Sequence, residues 1–150
     1  GDSAITMPIG EISKKDEELI ACSKDALYYA IDIIEDGMRF KELSKAIEDF
    51  ITSRGYQPLV RFCGHGIGRK PHEDPEIPNY LEHGGTKSGP KIKNGMVFCI
   101  EPMICQKDRN PVILKNGWDV VSADGLRGSH YEHTVAVVDG RAVILSNREN

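Results

Sequence analysis

Two glutamates stand where a carboxylate is costly. Glu101 lies inside the apolar run "MVFCIEPM" (96–103), with Pro102 directly behind it, and Glu132 lies in "HYEHTVAVV" (130–138), just ahead of a continuous apolar stretch. Both segments read as strands, and an ionised acid taken out of water costs several kcal/mol unless a cation or donors compensate it. One divalent cation bound by both acids would satisfy both. "CGHGIG" (63–68) adds a nitrogen donor, because glycines on both sides of His65 let the backbone come close and leave the imidazole accessible. Asp2 is a fourth candidate ligand. Carboxylates with an imidazole and no thiolate suit Mn, Fe, Co or Zn in an open catalytic site better than a closed structural zinc.

Each residue also has a plainer reading. A lone strand glutamate is more often at an edge or paired with arginine, and Arg61, Arg109, Arg127 and Arg141 are available. A histidine between glycines is more often a loop residue or a hydrogen-bonded core group. His72, seven residues beyond His65 in "PHEDP", is a candidate acid or donor to a substrate carbonyl, or else pins its loop through Glu73 or Asp74. His133 points away from Glu132 across the strand and reads as support for the site or as packing. His83 and His130 carry no signal of their own. Trp118, the only tryptophan, is a candidate wall of an apolar substrate pocket, with core packing as its default role. "GDS" at 1–3 suggests a serine hydrolase, but no oxyanion-type glycine cluster follows Ser3 and no Asp-His pair closes the chain.

These residues need elements to position them. Ser13 with Asp16 opens a long amphipathic helix whose apolar positions (Leu19, Ile20, Ala26, Leu27, Ala30, Ile31, Ile34) recur up to Gly37. A second runs from about Phe40 to Arg54, with Gly55 as left-handed cap. After Pro58 come strand candidates at 59–63, 96–101, 112–115, 118–122, 130–138 and 141–146, with Asn116-Gly117 and Asp139-Gly140 as two-residue hairpin turns. Helices first and hairpins afterwards predict an α+β fold with a mostly antiparallel sheet. Residues 64–95, rich in Gly, Pro and charge, read as one long irregular connection, of the kind that carries function.

With 150 residues, 39% of them hydrophobic, the chain predicts one domain with a real core. A net charge of −4, with no basic stripe, argues against nucleic acid. Neither a membrane span nor a signal peptide is legible, so the expectation is a cytoplasmic protein, with Cys22, Cys63, Cys99 and Cys105 as reduced thiols. The abrupt start at "GDSAITM", without an initiator Met, suggests part of a longer chain.

Taken together and in order, "CGHGIGRKPHEDP", "GMVFCIEPM", "NGWDV" and "HYEHTVAVV" resemble the methionine aminopeptidases, over essentially the whole chain from Gly1 to about Ser146. The resemblance implies the pita-bread α+β fold, here mainly its C-terminal half, and two divalent ions (Co, Mn, Fe or Zn) held by Asp, Asp, His, Glu and Glu. It places Asp2, His65, Glu101 and Glu132 as metal ligands, with the other Asp upstream of Asp2. It gives Glu101 proton transfer and His72 the peptide carbonyl. Glu132 follows Glu101 by only 31 positions (132 − 101), which resembles the first, bacterial-like type. Pro71 stands where a large apolar residue is often found, and His130 where glutamine is usual.

The expected activity is removal of methionine from the N-termini of nascent polypeptides by metal-activated water, in a monomer. The expectation for residues 1–150 is a single domain, the C-terminal part of a longer catalytic domain, inactive by itself. The alternatives are an X-Pro dipeptidase of the same fold and a peptide-binding module that has lost its metals.

Overall fold

The computed structural model describes residues 1–147, so the last three residues of the expected domain lie outside it. Helix α1 (Lys14–Ile33) begins at Ser13, whose hydroxyl accepts from the Asp16 N–H as an N-cap should. It stops short of Gly37 because Ile34 is extended and the chain after it is drawn into other pairings: Asp36 N–H donates to Gly140 and Gly37 N–H to Ile92. Helix α2 (Phe40–Ser53) matches its apolar stripe and ends two residues before Gly55, which takes a φ of 82°.

The central sheet joins β1 (Ser3–Ala4), β3 (Cys63–Gly66), β4 (Glu73–Pro78), β5 (Val97–Ile100), β10 (Glu132–Val138) and β11 (Arg141–Ile144). Its order is β1-β10-β5-β3-β4, with β11 also on β10, and every pairing is antiparallel. A second sheet pairs β2 (Gln57–Pro58), β6 (Met103–Cys105) and β9 (Gly128–His130), and β7 (Pro111–Ile113) pairs β8 (Val120–Ser122). The α+β expectation holds.

Three local expectations fail for identifiable reasons. Residues 59–62 are not a strand, because Arg61 adopts a φ of 73° and breaks the extended run between β2 and β3. The connection 64–95 contains β4, whose Pro75 and Pro78 disguised it; as the sheet's last strand it tolerates missing N–H donors. Asn116-Gly117 is not a two-residue turn, since Ile113 faces Val120 and residues 114–119 form a wider loop. Asp139-Gly140 is one: Val138 faces Arg141, and both turn residues have positive φ.

Alternation along β5 and β10 divides the sheet into two faces. Phe98, Ile100, Val135 and Val137 join Leu19, Leu27, Leu43, Ile47 and Ile51 of the helices in one buried core. Each such side chain contributes about 1.5–3 kcal/mol by leaving water. His133 shares this face, its Nε2 3.3 Å from the hydroxyl of Tyr28 on α1 and its Nδ1 2.9 Å from Ser146 Oγ. The residues between them, Cys99 and Glu101 on one chain segment and Glu132 and Thr134 on the other, are left for the opposite face.

Candidate metal centre

Strand register brings the acids together. In the β5–β10 ladder Ile100 faces His133 and Cys99 faces Thr134. Continued by one residue, the same register sets Glu101 against Glu132. Like charges directly opposite repel, and Glu132 is only 4% exposed. Its carboxyl is pushed up to about 7, first by burial, then by the charges of Glu101 and Asp2.

His65 enters from β3. A Cβ on Gly64 would meet the carbonyl oxygen of Cys99 at 2.3 Å, and one on Gly66 would meet that of Asp74 at 2.1 Å. Only glycine lets β3 lie this close to β5 and β4. The Nδ1–H of His65 donates to the Gly66 carbonyl at 3.0 Å, since a carbonyl can only accept, and this turns Nε2 toward the acids as the ring's available ligand atom. That nitrogen lies 3.4 Å from Oε1 of Glu101.

Asp2 directly precedes β1, which pairs with β10 through Ser3–His133 and Ala4–Glu132. Thr134 fixes it, accepting from the Asp2 N–H and donating to the Asp2 carbonyl, each at 2.8 Å. Asp2, His65 and His72 offer ligand atoms all within 4.8 Å of one another, as do His65, Cys99 and Glu132, and Glu101, His130 and Glu132. The rings of His65 and His72 are 4.2 Å apart, although His72 is exposed.

The donor set fits a divalent cation. Carboxylates crowded beside an imidazole suit one, and three of the four arginines named above pair with other acids: Arg109 with Glu48, Arg127 with Asp16, Arg141 with Glu35. All four cysteines are free thiols.

Beside the acids lies a cavity of about 680 Å³ lined by Leu59, Phe62, Met103, Leu126 and His130 among others. Trp118 is not among its lining residues and stands 86% exposed in the β7–β8 loop. A second opening, about 560 Å³, is lined by His65, His72 and the charged residues of β4.

The sequence profile of metallopeptidase family M24 matches residues 1–139. The chain belongs to this family. A methionine aminopeptidase of Helicobacter pylori is 63% identical over 149 residues, covering 99% of this chain and 59% of that protein. Methionine aminopeptidase 1 of Bacillus subtilis is 37% identical, with 97% and 58% covered. Among solved structures, the methionine aminopeptidase of Thermotoga maritima superposes with a TM-score of 0.93 at 36% identity, covering 99% of this chain and 58% of that one. The prolidase of Pyrococcus furiosus gives 0.75 at 27%, with 99% and 37% covered. This M24 chain therefore has the pita-bread fold and spans less than two thirds of the length of these relatives.

Thr134 went unread in the sequence of this M24 chain, although it lies two residues from Glu132 and so on the same strand face, a legible signal. His130 and Cys99 gave no signal, because their nearness to the acids depends on how β6, β9, β5 and β10 pair.

Proposed function

We propose that the polypeptide carrying this span removes N-terminal methionine from peptides and nascent proteins, using two divalent ions at the Asp2, His65, Glu101 and Glu132 centre. The observation that carries this reading is the convergence of these four residues beside an apolar cavity of a size to take a thioether side chain. A bound cation lowers the pKa of water toward neutrality and polarises a carbonyl. Glu101, whose Oε1 faces His65, is placed to take the proton of an attacking water and return it to the leaving amine. His72, beside His65 at the mouth of the polar opening, is placed to donate to the substrate carbonyl oxygen. Leu59, Phe62, Met103 and Leu126 would hold the methionine side chain, in place of Trp118.

The likeness to prolidases supports the shared fold, whereas the curated relatives bear the methionine aminopeptidase name, so neither the X-Pro reading nor the non-catalytic module is favoured. A cytoplasmic monomer accords with this role, and among the described residues no helix is long and apolar enough to cross a membrane. We further propose that residues 1–150 are the C-terminal part of one catalytic domain, on the strength of the 59% coverage and the single continuous core. The test is hydrolysis of a Met-Ala peptide against an Ala-Pro peptide, before and after removal of metal by chelation. Metal-dependent release of methionine from the first peptide alone is expected, and cleavage of only the second would overturn the reading.

A further inference from the structure

Oε1 of Glu101 faces His65, and the other carboxylate oxygen has an imidazole of its own. Nε2 of His130 lies 3.6 Å from Oε2 of Glu101. This nitrogen is shielded from solvent and makes no hydrogen bond among the described residues. A ligand atom of Glu132 completes a trio with those of Glu101 and His130, all within 4.8 Å of one another. The backbone holds His130 in place: its N–H donates to Thr6 Oγ1 at 2.9 Å and its carbonyl accepts from the same hydroxyl at 3.0 Å, while β9 pairs it with Met103.

We propose that His130 is a direct ligand of the metal centre, through Nε2, sharing a cation with Oε2 of Glu101 and a carboxylate oxygen of Glu132. The distances favour a shared cation over a hydrogen bond. At 3.6 Å the two atoms are beyond hydrogen-bonding range. Two donors on one cation at 2.0–2.2 Å and a tetrahedral angle lie roughly 3.4 Å apart, close to the spacing of both His65 and His130 from Glu101. Glu101 then stands between two imidazoles, one per oxygen. A second nitrogen donor tilts the site toward cobalt, iron or zinc relative to manganese, which carboxylates and water suit better.

The inference rests on the metal-site reading above, and the experiment separates the two. Co2+ and Mn2+ are titrated calorimetrically into chelator-treated wild type, His130→Gln and His130→Asn, and the imidazoles around bound Co2+ are counted by X-ray absorption. Both variants keep a polar side chain and the two backbone bonds to Thr6, and circular dichroism checks that each folds. Expected are the loss of one imidazole per site and a fall in Co2+ affinity of about tenfold or more, with a smaller fall for Mn2+. An unchanged imidazole count in either folded variant would show that His130 only neighbours Glu101 and would overturn the inference while leaving the metal site standing. Wild type that takes up no Co2+ would overturn both.

Discussion

The hydroxyl of Thr134 is joined twice to the backbone of Asp2, accepting from its N–H and donating to its carbonyl, each at 2.8 Å. The same oxygen lies 3.4 Å from Cys99 Sγ. One side chain thus ties the residue just ahead of the short edge strand, a candidate ligand, to the strands that hold the other candidates. Thr134→Val keeps the shape and removes both bonds. It is expected to lower metal affinity about 10–100-fold while costing only about 1–2 kcal/mol of stability. Calorimetric metal titration beside a thermal melt checks this, and unaltered affinity would mean that Asp2 does not ligate.

Metal-free protein should lose stability as pH rises through the range set by Glu132. Its carboxyl is pushed from 4.5 to about 7 by burial and by Glu101, so between these values the folded chain holds a proton that the unfolded chain has released. Stability from this group is therefore full below 4.5 and is lost as pH climbs to about 7. Glu132→Gln should flatten that slope and melt higher than wild type at pH 8 without metal. Denaturant midpoints of chelated samples across this range measure it; a slope of the same size in both proteins would contradict it.

Gly64→Ala tests the close approach of β3. The new methyl meets the Cys99 carbonyl oxygen at 2.3 Å, a backbone atom that has no flexible side chain's freedom to yield, and the Ile77 Cβ at 3.4 Å. A cost of about 1–3 kcal/mol is expected, along with weaker metal binding as His65 moves from Glu101. A melt unchanged within error would show that the strands have slack.

The thiols should differ in reactivity. Burial is the main cause that pushes Cys22, Cys99 and Cys105 up to about 11, and it raises Cys63 too, although Cys63 is only half-buried. At pH 8 a thiol of pKa 11 is roughly one part in a thousand thiolate. Native protein treated with a chromogenic disulfide should therefore label one cysteine quickly and the remaining three only after denaturation. Rapid labelling of all four in the folded state would be incompatible with this packing.

Trp118→Ala should change stability by no more than about 0.5 kcal/mol, because the indole is 86% exposed. Phe62→Ala, which opens the apolar cavity, should raise the KM for a methionyl peptide more than Trp118→Ala does. Steady-state kinetics on the two variants decide between the residues, and the reverse order would return the pocket to Trp118.

Much of this was legible in the chain. Helical period, the Ser13 cap, Gly55 and the Asp139-Gly140 turn are local properties, written in residues a few positions apart, and the structure agrees with them. So were the types of the candidate ligands: an acid inside an apolar strand signals the cost of its desolvation wherever that strand lies. The tertiary structure alone decided which side chains meet. The register that sets Glu101 against Glu132, the pairing that turns His130 toward Oε2 and the threonine that binds Asp2 all come from segments far apart in sequence. Their positions follow from strand pairing and close packing across the whole sheet, and a one-residue shift in any pairing would have sent each of those side chains to the other face.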